Sequence, residues 1–92
     1  MERLADDAID QAAAELGWER RGEALARVVV RDDFADAMRF VNDVAALAEG
    51  ANHHPDISIS WNRVELVLST HSAGGVTQAD VDLARAVNGL LA

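Results

Sequence analysis

The chain contains no cysteine, which excludes a disulfide framework, a thiolate nucleophile and any cysteine-based zinc site. Basic residues are scarce: eight Lys and Arg stand against sixteen Asp and Glu, a net charge of −8. A surface that acidic repels nucleic-acid phosphates, so no basic groove for DNA or RNA is expected. No apolar run approaches the ~20 residues that a bilayer-spanning helix needs, so no membrane partner is expected either. Residues 1–7 lack the apolar core of a signal peptide, which makes the cytoplasm the expected location. Repeats, linkers and low-complexity stretches are also missing.

What remains is 92 residues, half of them apolar and 26% charged. That composition describes one small globular domain spanning residues 1–92. Without disulfides, such a chain is held by its core alone or by an interface between copies, so a homodimer or homotetramer is expected.

Hydrophobic periodicity sets the element order. Leu4, Ala5, Ala8, Ile9, Ala12, Ala13 and Leu16 recur at helical spacing before Gly17, predicting a helix over 4–16. The stretch from Trp18 to Val30 reads as two short strands meeting near Arg21-Gly22. Asp33 looks like an N-cap, and Phe34, Ala37, Met38, Val41, Val44, Ala45 and Ala48 mark one face of a long helix ending at Gly50. Ile57, Ile59 and Trp61, then Val64, Leu66 and Leu68, alternate with period two around Asn62-Arg63. A hairpin turning there pairs Trp61 with Val64, Ile59 with Leu66 and Ile57 with Leu68, on one buried face. Ser72-Ala73-Gly74-Gly75 reads as a flexible loop. Thr77 with Asp80 resembles a capping box opening a third helix through Val81, Ala84, Val87 and Leu91. The expected fold is α+β: a four-stranded antiparallel sheet with three helices on one face, in the order α-β-β-α-β-β-α.

All three histidines fall between positions 53 and 71. Extending the hairpin register places His54 opposite His71, with Cβ atoms ~5 Å apart on the uncovered face. Imidazoles give and take protons near neutral pH, so this gathering suggests general acid–base chemistry. A three-histidine metal site is a weaker fit, because adjacent His53 and His54 point to opposite sides of an extended chain and no H-E-x-x-H helix exists. No serine sits in a Gly-x-Ser-x-Gly elbow, and Gly74-Gly75 is too short for a phosphate loop.

Glu49, three residues, His53-His54-Pro55, five residues, Trp61, nine residues, His71, eight residues and Asp80 together resemble the motif of pterin-4a-carbinolamine dehydratases. That family also includes the dimerisation cofactor of a homeodomain transcription factor. Gly17-Trp18, Asp33-Phe34, Ser69-Thr70-His71 and the Gly-Gly-x-Thr before the last helix are similar too, so the resemblance covers nearly the whole chain. It implies the same four-stranded, three-helix fold. It also implies a hydro-lyase that removes water from 4a-hydroxytetrahydropterin to give quinonoid dihydropterin, in tetrahydrobiopterin recycling. One group protonates the departing 4a-hydroxyl and another accepts the N5 proton, and no cofactor or metal is required.

By match to the motif, His53, His54 and His71 surround the pterin, with His53 and His71 as the acid–base pair and His54 holding the substrate. Glu49 and Asp80 are the matching acids. A carboxylate in the last turn of a helix, as at Glu49, opposes the helix dipole, which favours a functional role. Asp80 has capping and substrate binding open to it. The flat ring of Trp18 offers either a pterin-lining surface or a core residue, while Trp61 reads as core. The pterin is the expected partner, with a link to an aromatic amino acid hydroxylase. Two alternatives stay open: a non-catalytic interaction module, of transcription-cofactor or rubisco-chaperone type, and a pterin-handling protein of molybdopterin or folate metabolism.

Overall fold

Helix α1 (Asp6–Leu16) carries Asp6 and Asp7 in its first turn and stops at Gly17, whose φ of 73° lets its N–H return to the Ala13 region. It begins two residues later than the periodicity predicts, because the backbone at Ala5 is extended, with ψ of 153°, and the segment before it runs beside Val76, whose carbonyl accepts the Leu4 N–H at 2.8 Å. The computed structural model describes all residues, 1–92. After α1 come β1 (Glu19–Arg21), β2 (Ala24–Val30), α2 (Phe34–Ala51), β3 (Asp56–Ser60), β4 (Arg63–Leu68) and α3 (Gln78–Gly89). No helix is long and apolar enough to cross a membrane.

The strands form one antiparallel sheet in the order β1-β2-β4-β3. Leu25 pairs with Leu68 and Val29 with Val64, while Ile57 lies beside Leu66. Leu25, Val29, Val64, Leu66 and Leu68 therefore share a face. They form one buried cluster with Ile9 and Ala13 of α1, Phe40, Val44 and Ala48 of α2, and Val81, Ala84 and Val87 of α3. Each fully buried Leu or Val contributes about 1.5–3 kcal/mol. The opposite face carries no helix, and Val28, Val30, Glu65 and Ser58 on it are half-buried or exposed. The α-β-β-α-β-β-α order and the antiparallel four-stranded sheet match the sequence-based expectation.

Three local expectations need correction. The β3–β4 turn is Trp61-Asn62 rather than Asn62-Arg63, so Ser60 faces Arg63 and Ile59 faces Val64. Alternation settles which residues share a face, but not which partner each meets. The choice comes from β2: the Arg31 N–H donates to the Asn62 carbonyl and the Asn62 side-chain amide donates to the Arg31 carbonyl, at 2.7 and 3.0 Å. Trp61 is consequently a turn residue with φ of 50° and is 63% exposed, not a core residue. The second correction is the end of α2, which passes through Gly50 and stops at left-handed Asn52. Third, the stretch expected as a flexible loop folds into a single 3₁₀ turn (His71–Ala73), closed by a bridge between Thr70 and Gly75.

Candidate active site

His53 owes its position to the end of α2. With Asn52 left-handed, the Asn52 N–H bonds the Glu49 carbonyl and the His53 N–H bonds the Ala48 carbonyl, a Schellman-type closure that reverses the chain. The His53 imidazole then reaches α3, where its Nε2 lies 2.5 Å from Asp80 Oδ1. Asp80 is 0% exposed. Its other oxygen accepts the Thr77 N–H at 2.9 Å and the Thr70 hydroxyl at 2.8 Å. The Thr70 and Thr77 hydroxyls are themselves 2.9 Å apart. Burying a carboxylate is costly unless its oxygens are satisfied, and both are. A carboxylate only accepts, so beside it His53 Nε2 carries the proton and Nδ1 is the nitrogen with a free lone pair. Asp80 thus caps α3 and clamps an imidazole at once.

His54 pairs through Nε2 with Glu49 on the last turn of α2, both side chains being exposed. The partner explains an acid at the negative end of a helix.

His71 opens the 3₁₀ turn and lines a cleft of about 350 Å³. Val67 forms its floor, Asp56 of β3 flanks one side, Glu23 flanks the other, and Gly75 helps close the end. A side chain at Gly75 would meet the Glu23 carboxylate at 2.4 Å and the Arg3 guanidinium at 2.8 Å, so the Arg3–Glu23 pair would have to shift to admit it. Hydrogen bonds from Arg3 hold Glu23 below its ordinary carboxylate range. His53 lines a different cavity of about 370 Å³ between α2 and α3, among Leu47, Ala51 and Leu83.

The three imidazoles therefore do not meet in one cavity. The expected His54–His71 pairing fails because the shifted hairpin register, extended outward, sets Ser69 rather than His71 opposite His54. What joins His53 to the His71 turn is the Asp80–Thr70 contact. Trp18, considered as a pterin-lining ring, is 4% exposed and lines neither cavity. Its indole N–H donates to Asn88 at the far end of α3. Sequence reasoning did not single out Thr70, Asp56 or Glu23. Thr77 was visible as a cap, but nothing local announces that Thr70 reaches the same carboxylate.

The sequence model of the family described as pterin 4 alpha carbinolamine dehydratase matches residues 2–90. The chain belongs to this family. A Thermomicrobium roseum protein named "Putative pterin-4-alpha-carbinolamine dehydratase" is 56% identical over 92% of each chain. One of the same name from Mycobacterium avium is 48% identical over 96% of this chain and 95% of its own. Among solved structures, a Brucella melitensis protein titled transcriptional coactivator/pterin dehydratase superposes with a TM-score of 0.93 at 35% identity, covering 99% of this chain and all of that one. A pterin dehydratase-like protein described as a RuBisCO assembly factor of the alpha-carboxysome shares the fold, with a TM-score of 0.64 at 23% identity over 79% and 84% of the two chains. In this member of the dehydratase family, the motif residues Glu49, His53, His54 and Asp80 form two carboxylate–imidazole pairs, and His71 opens into the polar cleft.

Proposed function

We propose that this protein dehydrates 4a-hydroxytetrahydropterins to quinonoid dihydropterins, breaking the C4a–O bond and releasing water as the N5 proton is lost. The observation that carries the reading is His71 in a polar cleft, on a turn tied through Thr70 to the buried Asp80–His53 pair. The apolar Val67 floor suits a flat bicyclic ring, and the cleft falls in the size range of small-molecule sites. The reaction needs two proton transfers, each worth about 10²–10⁴-fold. His71 supplies one at the ring. The matching motif assigns the other to His53, which lines the other cavity and is joined to the His71 turn through Asp80 and Thr70; a carboxylate behind an imidazole stabilises the imidazolium that forms when the ring accepts a proton. His54, held by Glu49, steadies the substrate.

In this reading the physiological role is tetrahydrobiopterin regeneration beside an aromatic amino acid hydroxylase in the cytoplasm. The protein assembles as a homodimer or homotetramer. Stopped-flow dehydration of synthetic 4a-hydroxytetrahydropterin, with and without the protein, is the test. Acceleration supports the enzyme. No acceleration overturns it, in favour of a non-catalytic interaction module.

A further inference from the structure

The cleft contains two carboxylates in different situations. Glu23 is engaged: Arg3 Nε and Nη2 donate to its two oxygens at 2.6 and 3.0 Å. Asp56, the first residue of β3, stands beside Val67 on the open face of the sheet, exposed, with no arginine on it. Of the two carboxylates that line the cleft, Glu23 is held by an arginine and Asp56 is left free to meet a ligand.

A pterin presents a matching edge. Its N3–H and 2-amino group are adjacent donors pointing the same way, and a carboxylate accepts such a pair through both oxygens, as it does a guanidinium. Resting on the pterin reading of this cleft, we infer that Asp56 is the specificity residue that binds the 2-amino-4-oxopyrimidine edge of the substrate. With that edge on Asp56 and the ring over Val67, the C4a–N5 side is left for His71 on the cleft's end. Asp56 takes no part in proton transfer. It sets which heterocycle is accepted and how the ring is turned.

Asp56→Asn is the informative variant, because asparagine offers one acceptor and places an N–H against a donor. Asp56 is exposed at the start of an edge strand, so the variant folds, and coincident thermal unfolding curves verify this. Wild type and variant are compared in stopped-flow dehydration of 4a-hydroxytetrahydropterin and in equilibrium binding of an unreactive 7,8-dihydropterin. The expected result is a rise of about 10- to 100-fold in both KM and Kd, with a much smaller change in kcat. An analogue with oxygen in place of the 2-amino group is bound weakly by wild type, and Asp56→Asn narrows that preference. Unchanged dihydropterin binding, or an unchanged amino-over-oxo preference, overturns the assignment of Asp56. If wild type binds dihydropterin through Asp56 yet accelerates nothing, the dehydratase reading falls and the Asp56 site stands. If wild type binds no pterin, both fall.

Discussion

The Nε2 of His53 lies 2.5 Å from Oδ1 of Asp80, which joins the end of α2 to the first turn of α3. Asp80 is fully buried and also holds the Thr77 N–H and the Thr70 hydroxyl, so three donors depend on one side chain. Asp80→Ala leaves the His53 N–H and the Thr77 N–H without an acceptor, while the Thr70 hydroxyl can still turn to the Thr77 hydroxyl, and is expected to destabilise the protein by about 3 kcal/mol. Denaturant unfolding measures this, and an unchanged midpoint refutes the network. Thr70→Val, which keeps the shape and removes one donor, is expected to cost about 1 kcal/mol.

His71 is exposed and contributes little to the core. His71→Ala is expected to lower the dehydration rate at saturating pterin by about 10²-fold, with the unfolding midpoint unmoved. Removing His54 is expected to raise KM more than it lowers kcat. Full activity in the His53→Ala, His71→Ala double variant would leave the acid–base mechanism without support. The wild-type rate is expected to be indifferent to chelators, because the proposed proton transfers need no metal.

Acid stability follows from the arginine network. Hydrogen bonds from Arg3 and Arg20 hold the Asp6 carboxyl at about 2. Arg3 lowers Glu23, and the Asp32 N–H with Arg31 lowers Asp36. Carboxyls that ionise more readily when folded bind fewer protons in the native state, so their contribution is complete above the unfolded range of about 4. It is lost as pH falls from about 4 towards 2. Asp6→Asn is expected to flatten the dependence of stability on pH in that window. The Asp6 and Glu23 carboxylates are solvent-exposed, so added salt flattens it too, and acts less on the half-buried Asp36 pair. An acid-unfolding curve unaffected by the substitution would contradict this assignment.

The two tryptophans are expected to behave oppositely. Trp18 is 4% exposed with its N–H on Asn88, and Trp18→Ala is expected to cost about 3–5 kcal/mol. Trp61 is 63% exposed at a positive φ that asparagine or glycine adopts more readily. Trp61→Asn is expected to change stability by no more than about 0.5 kcal/mol. Acrylamide quenching reports on this directly: Trp61 supplies the quenchable fluorescence, and Trp61→Phe removes it.

Both outer strands, β1 and β3, have an edge unpaired within the chain, and Ile59 on β3 is 37% exposed. Such edges favour pairing with another copy. Sedimentation at micromolar concentration is expected to show a dimer or tetramer, and a monomer throughout would refute the assembly.

Features dictated by near neighbours in the chain were legible from the residues alone. Gly17 and Asp33 bound their helices through a left-handed glycine and a side chain accepting the Asp36 N–H, interactions a few residues long. The period-two alternation of Ile57 to Leu68 likewise determined which side of β4 meets the helices, because pleating leaves only two choices. The resemblance to the family motif pointed to the three histidines and to both acids. The tertiary structure decided who meets whom. Arg31, half the chain away from α3 and thirty-one positions from Asn62, selects the hairpin turn and so turns Trp61 into solvent. The same shift separates His54 from His71. Asp80 lies twenty-seven positions from His53 and ten from Thr70, and the three meet because α2 and α3 pack on the same face of the sheet. Local hydrogen bonding and side-chain alternation act over a few residues, whereas these pairings depend on where separate elements come to rest against a shared core.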